Sequence, residues 1–422
     1  MSSSIKQIYA SLEISENEIK LVIAEYFNTR FNVLKVEKRN TNSISDFKVI
    51  DREQLKKDIK SIVNDCSEKI GAKIEQLIIV LPAYNFKRFS ISDVVVPEEG
   101  YITSKDISKA ISRSFNIQVD DDVIIVDSLI SKYTINGISI RRFPENEACN
   151  EFTIDFELLC ADKDIIFDYV SIIEECGIKV LDITLNISSI GKESSIFEES
   201  HKRNIVCLNI ERYCTYMSLF SKGKIVSNEL LFDGLDTFAK QLKSIYDIPE
   251  NDLLKLVKYN VNYHTKYPDD VVYAYNYNGS TKTISTRDLN TIVMNSIDNY
   301  VDKLIAMCNP ILDENTLIFI TGEGQQMNSL VNSFIDKINC NVRSYQPDTL
   351  GVRDPSLTAV FGSLYSYHEK AKLNNLNVSC IDLLEYNSHV DQKEIDSEGE
   401  TITTKIKNLF KQYVEKEDSY DN

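Results

Sequence analysis

The chain has no tryptophan, and glycine (13 of 422 residues) and proline (8) are scarce. Its nine cysteines form no CxxC pair, and its four histidines lie far apart, so neither a zinc ribbon nor a metal cluster is expected. Scattered through mostly apolar segments, these cysteines suit buried, reduced thiols. No block of Lys and Arg occurs, and the net charge is −17. Phosphate neutralisation needs clustered cations, so nucleic acid is excluded as a partner. No apolar run reaches the eighteen or so residues of a spanning helix, and MSSSIKQIYA lacks the apolar stretch of a signal peptide. The expectation is a cytoplasmic protein.

What is present is an ordinary globular composition, 43% hydrophobic and 26% charged, long enough for two or three cores. Ile8–Ile14, Glu18–Tyr26 and Phe31–Lys38 read as three strands of a meander, followed by an amphipathic helix over Ile50–Ile70. QLIIVLP, Gln76–Pro82, is a strand buried on both faces. An α+β unit follows from about Phe86, with its own strands and the helix ITSKDISKAISRSF, and then the helix Lys163–Cys176. The pattern then repeats: strands at Ile205–Ile210, Tyr216–Ser221 and Lys224–Leu231, helices at Leu235–Tyr246, Asn251–Lys258 and Asp288–Cys308, a strand at Thr316–Thr321 and a helix at Met327–Ile338. Tyr273–Tyr277 reads as a sheet edge with ring packing. Two copies of one unit, each with an insertion, predict a duplicated α/β architecture.

The tail departs from this pattern. Asn387–Glu400 carries five acids and reads as a solvated linker. In Thr401–Lys416, Ile402, Ile406, Leu409, Phe410 and Tyr413 share an arc of roughly 100° on a helical wheel, with Lys405, Lys407, Lys411 and Lys416 beside or opposite it. That stripe needs a bilayer surface, a partner protein or the chain's own body to cover it. Glu415, Glu417, Asp418 and Asp421 are better kept in water.

YASLEISENEIKLVIAE, VIDREQLKKDIKSIV, GYITSKDISKAISRSFNIQVDDDVIIVDSLISKYTING, CGIKVLDITLNISSIG, TGEGQQMNSLVNSF and DPSLTAVFGSLYSY, followed by an amphipathic tail, together resemble FtsA, the actin-like cell-division family. The inserted unit and the tail separate that family from sugar kinases, Hsp70 chaperones and MreB. The resemblance covers essentially the whole chain. It implies a duplicated actin-like (ribonuclease H-like) α/β fold. Residues 1–85 and 163–203 would form one subdomain, interrupted by the FtsA-type insertion at 86–162. Residues 204–240 and 313–386 would form its counterpart, interrupted at 241–312. An acidic linker (387–400) and an amphipathic helix (401–416) would close the chain.

Actin-fold proteins hold nucleotide phosphates between two glycine-bearing strand turns. In the matching positions this chain has Glu13-Ile14-Ser15-Glu16-Asn17 and Asn209-Ile210-Glu211-Arg212-Tyr213-Cys214-Thr215, without glycine and with added carboxylates. A carboxylate a few ångströms from a triphosphate costs on the order of a few kcal/mol, which Arg212 or Mg²⁺ could partly offset. Gly322-Glu323-Gly324 resembles the adenosine turn, or is a tight strand-to-helix turn with no ligand. Asp252 and Lys255 stand where the family has a Glu and a Lys near the ribose and base. The resemblance therefore places any ATP site at Ser15, Asn17, Asn209, Thr215, Asp252, Lys255 and Gly322–Gly324. No catalytic residue is expected and no metal site; ATP with Mg²⁺ is the one cofactor to test.

The resemblance also implies a partner and a location. The family binds the C-terminal peptide of FtsZ on the subdomain inserted in the second core, where Asn295, Asp298 and Asn299 would be presented here, or would form a plain solvated face. The expected role is a non-enzymatic adaptor. It would tether FtsZ filaments to anionic lipids of the inner membrane face at the division site, through Ile402, Lys405, Ile406, Lys407, Leu409, Phe410 and Tyr413, and would self-associate into filaments. The alternatives are an ATP-gated polymerising FtsA and a PilM-like adaptor of a pilus or secretion machine.

Overall fold

The computed structural model describes residues 6–263 and 270–398, with 391–398 by backbone alone. The expected tail helix Thr401–Lys416, with Ile402, Lys405, Ile406, Lys407, Leu409, Phe410 and Tyr413, lies outside the described residues.

The first lobe is built on a five-stranded sheet. Strands β1 (Gln7–Ile14), β2 (Glu18–Phe27) and β3 (Arg30–Asn40) form the meander. After the small hairpin β4 (Ile44–Ser45) and β5 (Lys48–Val49) and helix α1 (Arg52–Ile70), β6 (Gln76–Leu81) pairs parallel to β1. The inserted unit follows: β7 (Lys87–Val95), α2 (Ser104–Ser114), β8 (Val123–Ile135), β9 (Ile138–Ile140) and β10 (Phe152–Asp162). It has its own four-stranded sheet, ordered β7-β10-β8-β9, and its own core around Phe152, Ile154, Phe156 and Leu158. Helix α3 (Lys163–Glu175) and β11 (Lys179–Leu185) return the chain to the first sheet, giving the order β11-β6-β1-β2-β3. Helices α4 (Asn186–Glu193) and α5 (Ile196–Glu199) lead out of it.

The second lobe repeats the topology. Strands β12 (Ile205–Ile210), β13 (Thr215–Ser221) and β14 (Lys224–Leu231) form the second meander. Helices α6 (Asp236–Lys243) and α7 (Glu250–Asn260), the hairpin β15 (Val271–Tyr277) and β16 (Ser280–Ser285), and α8 (Thr286–Cys308) form the second insertion. Then β17 (Leu317–Thr321), α9 (Asn328–Lys337) and β18 (Asn341–Ser344) complete a sheet ordered β14-β13-β12-β17-β18, with β17 parallel to β12 and β18 parallel to β17. The parallel strands are buried on both faces: β6 reads QLIIVL and β17 reads LIFIT, with every residue from Leu77 to Leu81 and Leu317 to Thr321 buried. Tyr273 and Tyr275 pack their rings at a hairpin, as the sequence suggested.

Caps set the helix ends. The Asp51 carboxylate accepts from the Gln54 N–H (2.9 Å), so α1 begins at Arg52 and leaves Ile50 exposed. Ser285 and Asp288 cap each other reciprocally, which starts α8 at Thr286, two residues before the sequence reading. Helix α10 (Thr358–Leu373) lies across the first lobe against α4.

The segment read as a solvated linker from Asn387 is helical as far as the structure describes it: α11 runs Leu383–Glu398. Its start is fixed by Asp382, whose carboxylate accepts the N–H groups of Leu384 (2.8 Å) and Glu385 (3.2 Å). Glu385 in turn accepts the Lys73 N–H at 2.9 Å, and the His389 ring lies over Gly71. Neither Pro nor Gly interrupts 383–398, so acidic composition did not imply irregular backbone. All nine cysteines are free thiols and most are buried.

Candidate functional site

The cleft between the lobes lies at the carboxyl ends of β1, β6, β11, β12 and β17, where open α/β sheets place ligands. Its walls are Glu13–Glu18, Leu81, Pro82 and Asn186 from the first lobe, and Asn209, Glu211–Cys214, Tyr216 and Glu323 from the second.

Both turns close on themselves. The Ser15 N–H and Oγ–H donate to the Glu18 carbonyl at 3.0 and 2.9 Å, and the Glu211 N–H donates to the Cys214 carbonyl at 2.9 Å. The carbonyls of Glu211 and Arg212 accept the N–H groups of Leu235 and Asp236 at the start of α6. The Ser15 and Glu211 N–H groups are therefore engaged within their own turns. Asn17 gives its carbonyl to the Thr41 N–H (2.8 Å), and Thr215 Oγ donates to the Asp233 carbonyl (2.8 Å) beside the Tyr300 hydroxyl.

The Glu16 carboxylate is engaged by the β4–β5 hairpin. Its two carboxylate oxygens accept the N–H groups of Asp46 (2.6 Å) and Phe47 (2.7 Å) in the β4–β5 hairpin. Those two residues have φ of 50° and 61°, a left-handed backbone that non-glycine residues adopt only when held there. Phe47, fully buried, sets its ring 6.2 Å from Tyr216 and 6.1 Å from Phe232 of the other lobe. Arg212 lines the cleft, but its guanidinium is engaged within the second lobe. Its guanidinium donates to Asn251 Oδ1 (2.6 Å) and Asp236 Oδ1 (3.4 Å), so it is not positioned to offset charge between the turns.

The cation in the cleft is one the sequence reading passed over. Lys20 projects from β2, with its side chain 1% exposed. Its Nζ lies 3.5 Å from Glu13 Oε2, 3.8 Å from Glu18 Oε2 and 3.8 Å from Glu211 Oε2. Burial pushes the Lys20 pKa down; Glu13, Glu211 and Glu18 outweigh it and raise the lysine above its ordinary value. Burial raises Glu13, with Lys20 opposing. Burial also pushes Glu211 up to about 7, again against Lys20 and reinforced by Glu13 and Glu323. Lys258 of α7 pairs with Glu323, whereas Lys255, one turn earlier, is solvent-exposed and meets Asp252 at 3.7 Å.

Gly322, at φ 75°, and Gly324 adjoin the second turn itself: an added Cβ would meet Asn209 Oδ1 at 2.4 Å and the Ile210 side chain at 2.6 Å respectively. The glycines admit the neighbouring strand end. The residues present do not fit a nucleoside triphosphate: the cleft encloses about 20 Å³, near the minimum for a single water. Each carboxylate at about 4 Å would add roughly 4 kcal/mol of repulsion per phosphate charge at an effective dielectric of 20.

On α8, Asn295 and Asn299 are exposed, while Asp298 accepts from Ser333 Oγ (2.7 Å) and pairs with Lys337. Among the described residues, no helix is long and apolar enough to cross a membrane.

The chain is similar over nearly its whole length to the cell division protein FtsA of Enterococcus faecalis, at 20% identity over 96% of this chain and 98% of the relative. The likeness to FtsA of Bacillus subtilis is 18%, over 88% and 86%. It is a divergent FtsA-like chain. No protein-family model matches it. Among solved structures, the type IV pilus biogenesis complex of PilM and PilN aligns with a TM-score of 0.55 at 13% identity, over 84% of this chain and 97% of that one. The ethanolamine utilization protein EutJ from Carboxydothermus hydrogenoformans gives 0.50 at 10%, over 85% and 89%. The fold of this FtsA-like chain is thus the duplicated actin-like α/β fold that the resemblance implied.

The Glu211 environment gives a signed pH prediction. Its pKa rises on folding from 4.5 to about 7, so the folded state holds the proton more tightly. The associated stability is present below pH 4.5 and is lost as pH rises to 7. Glu211→Gln should raise stability at pH 8 by about 1–3 kcal/mol and change it little at pH 5. Glu193, buried and also raised to about 7, contributes a parallel trend that the variant leaves in place. Urea midpoints at the two pH values test this; a loss of stability at pH 8 would contradict it.

Proposed function

We propose that the chain is a non-enzymatic FtsA-type adaptor of cell division. It joins FtsZ filaments, through their C-terminal peptide, to the inner face of the cytoplasmic membrane. It associates with further copies of itself, and the tail Thr401–Lys416 supplies the membrane contact. The near full-length likeness to FtsA supports the division role. What supports the non-enzymatic part is the cleft, where Lys20 is held among Glu13, Glu18 and Glu211 between the two turns that resemble phosphate turns. Phosphoryl transfer needs a cradled triphosphate and a metal to spread its charge, and a cleft of this size and sign supplies neither.

Immobilised FtsZ C-terminal peptide should retain the full chain, and Asn295→Ala/Asn299→Ala should weaken retention several-fold, since both side chains are free to make contacts. No retention of the unaltered chain would remove FtsZ from the proposal and favour the PilM-like alternative, whose fold this chain shares.

A further inference from the structure

We infer that Lys20 is a built-in cation that holds the two lobes closed between the two turns, so that closure needs no ligand. The inference rests on three independent contacts across one cleft. The first is ionic: Lys20 and its neighbours Glu13 and Glu18 belong to the first lobe, and Glu211 to the second, with Nζ 3.5–3.8 Å from all three carboxylates. The second is aromatic: Phe47, held by Glu16 in its left-handed hairpin, reaches Tyr216 and Phe232, and Tyr84 comes within 6.4 Å of Phe232. The third is polar: Asn228 of β14 donates to the Ala83 carbonyl at 3.2 Å.

Lys20 is the contact the others cannot replace. Glu13 Oε2 and Lys20 Nζ are both buried and lack a hydrogen-bond partner. Such groups are costly to keep unless charge compensates charge. Lys20 compensates Glu13, Glu18 and Glu211 at once, with Glu323 acting on it from further away. The other charges around the cluster are committed elsewhere: Glu16 to the hairpin, Arg212 to Asp236 and Asn251, Lys258 to Glu323 and Lys38 to Asp354. Removing the lysine charge leaves carboxylates of opposite lobes facing each other across a cleft of about 20 Å³. These carboxylates then either hydrate, by separation of the lobes, or take up protons, which leaves the lobes closed; the inference requires the first.

The inference concerns the same cleft as the proposed nucleotide-free adaptor, but it is tested without nucleotide, lipid or partner, so the two can fail separately. Amide hydrogen exchange is measured on the full chain at one pH. In Lys20→Met, amides of Ile14–Glu18 and Glu211–Tyr213 should exchange at least tenfold faster, with β6 and β17 as protected as before. Lys20→Met/Glu13→Gln/Glu211→Gln, which removes the repulsion as well as the cation, should return both turns to within about threefold of the parent. A Lys20→Met chain that unfolds while the triple variant folds also supports the inference. Exchange within twofold of the parent in Lys20→Met would overturn it, as would a triple variant that is as open as Lys20→Met or that does not fold. If Mg²⁺ and ATP slow exchange at these turns in the parent, the nucleotide-free function fails and the clamp does not.

Discussion

A chain ending at Glu400 will remain in the dense fraction when mixed with anionic liposomes, whereas the full chain will float with them. The full burial of five large apolar side chains, Ile402, Ile406, Leu409, Phe410 and Tyr413, corresponds to up to roughly 8–12 kcal/mol. Partial interfacial insertion and the ordering of a helix reduce this to a few kcal/mol. Lys405, Lys407 and Lys411 add about 1 kcal/mol each near an anionic surface. The body opposes attachment, since the chain carries a net charge of −17. A single copy is therefore a reversible anchor, and several copies on one filament are needed for stable attachment. Flotation should accordingly rise steeply with protein concentration and fall with salt. Equal flotation of both chains would end the anchor proposal.

Gly362→Ala will destabilise the chain severely, by about 3 kcal/mol or more. In an ordinary helix this substitution gains about 1 kcal/mol of propensity. Here an added Cβ would lie 2.0 Å from the Ser189 carbonyl oxygen and 2.7 Å from its carbon. Backbone cannot yield as a side chain can, so α10 must move off α4 by more than an ångström and open a packed core. That movement also disturbs the Ser11–Ser363 hydroxyl pair (2.6 Å) and the helix that begins with Asn186, whose Oδ1 accepts the Ala83 N–H at the cleft. Gly279→Ala is the control. Its φ of 76° is left-handed, unlike that of helical Gly362, and nothing lies within 4 Å of the added carbon, so only about 1 kcal/mol of backbone strain is expected. Thermal or urea unfolding of the two variants separates contact from conformation; equal losses would contradict the packing account.

The repeat of meander, helix, strand and helix was legible because period-2 strands and continuous apolar runs survive divergence that erases individual residues. The inserted unit and α10 were legible through the resemblance to FtsA. The cleft was legible only in part. The loss of glycine from both turns showed directly, but the fate of the new carboxylates did not. Glu16 reads the same in sequence whether it faces a phosphate or caps Asp46 and Phe47, and the β4–β5 hairpin it serves is too short to show a period. Lys20 did leave a signal. It stands inside EIKLVIAEYF, where Ile19, Leu21, Val22 and Ile23 are buried on both faces, and a lysine in a doubly buried run needs a partner. Lys258 rather than Lys255 meets Glu323 because the phase of a short helix is set by its packing. At α11, the Asp382 cap and the absence of breakers carried more information than the acidic composition.

The central claim is that the body of this FtsA-like chain works without nucleotide, its phosphate position being filled by Lys20, Glu13, Glu18 and Glu211. Titration of the full chain with a fluorescent ATP analogue, with and without Mg²⁺ and competed by unlabelled ATP, tests it most directly. The account predicts no saturable, competable binding in the micromolar range under either condition; saturable micromolar binding would contradict it.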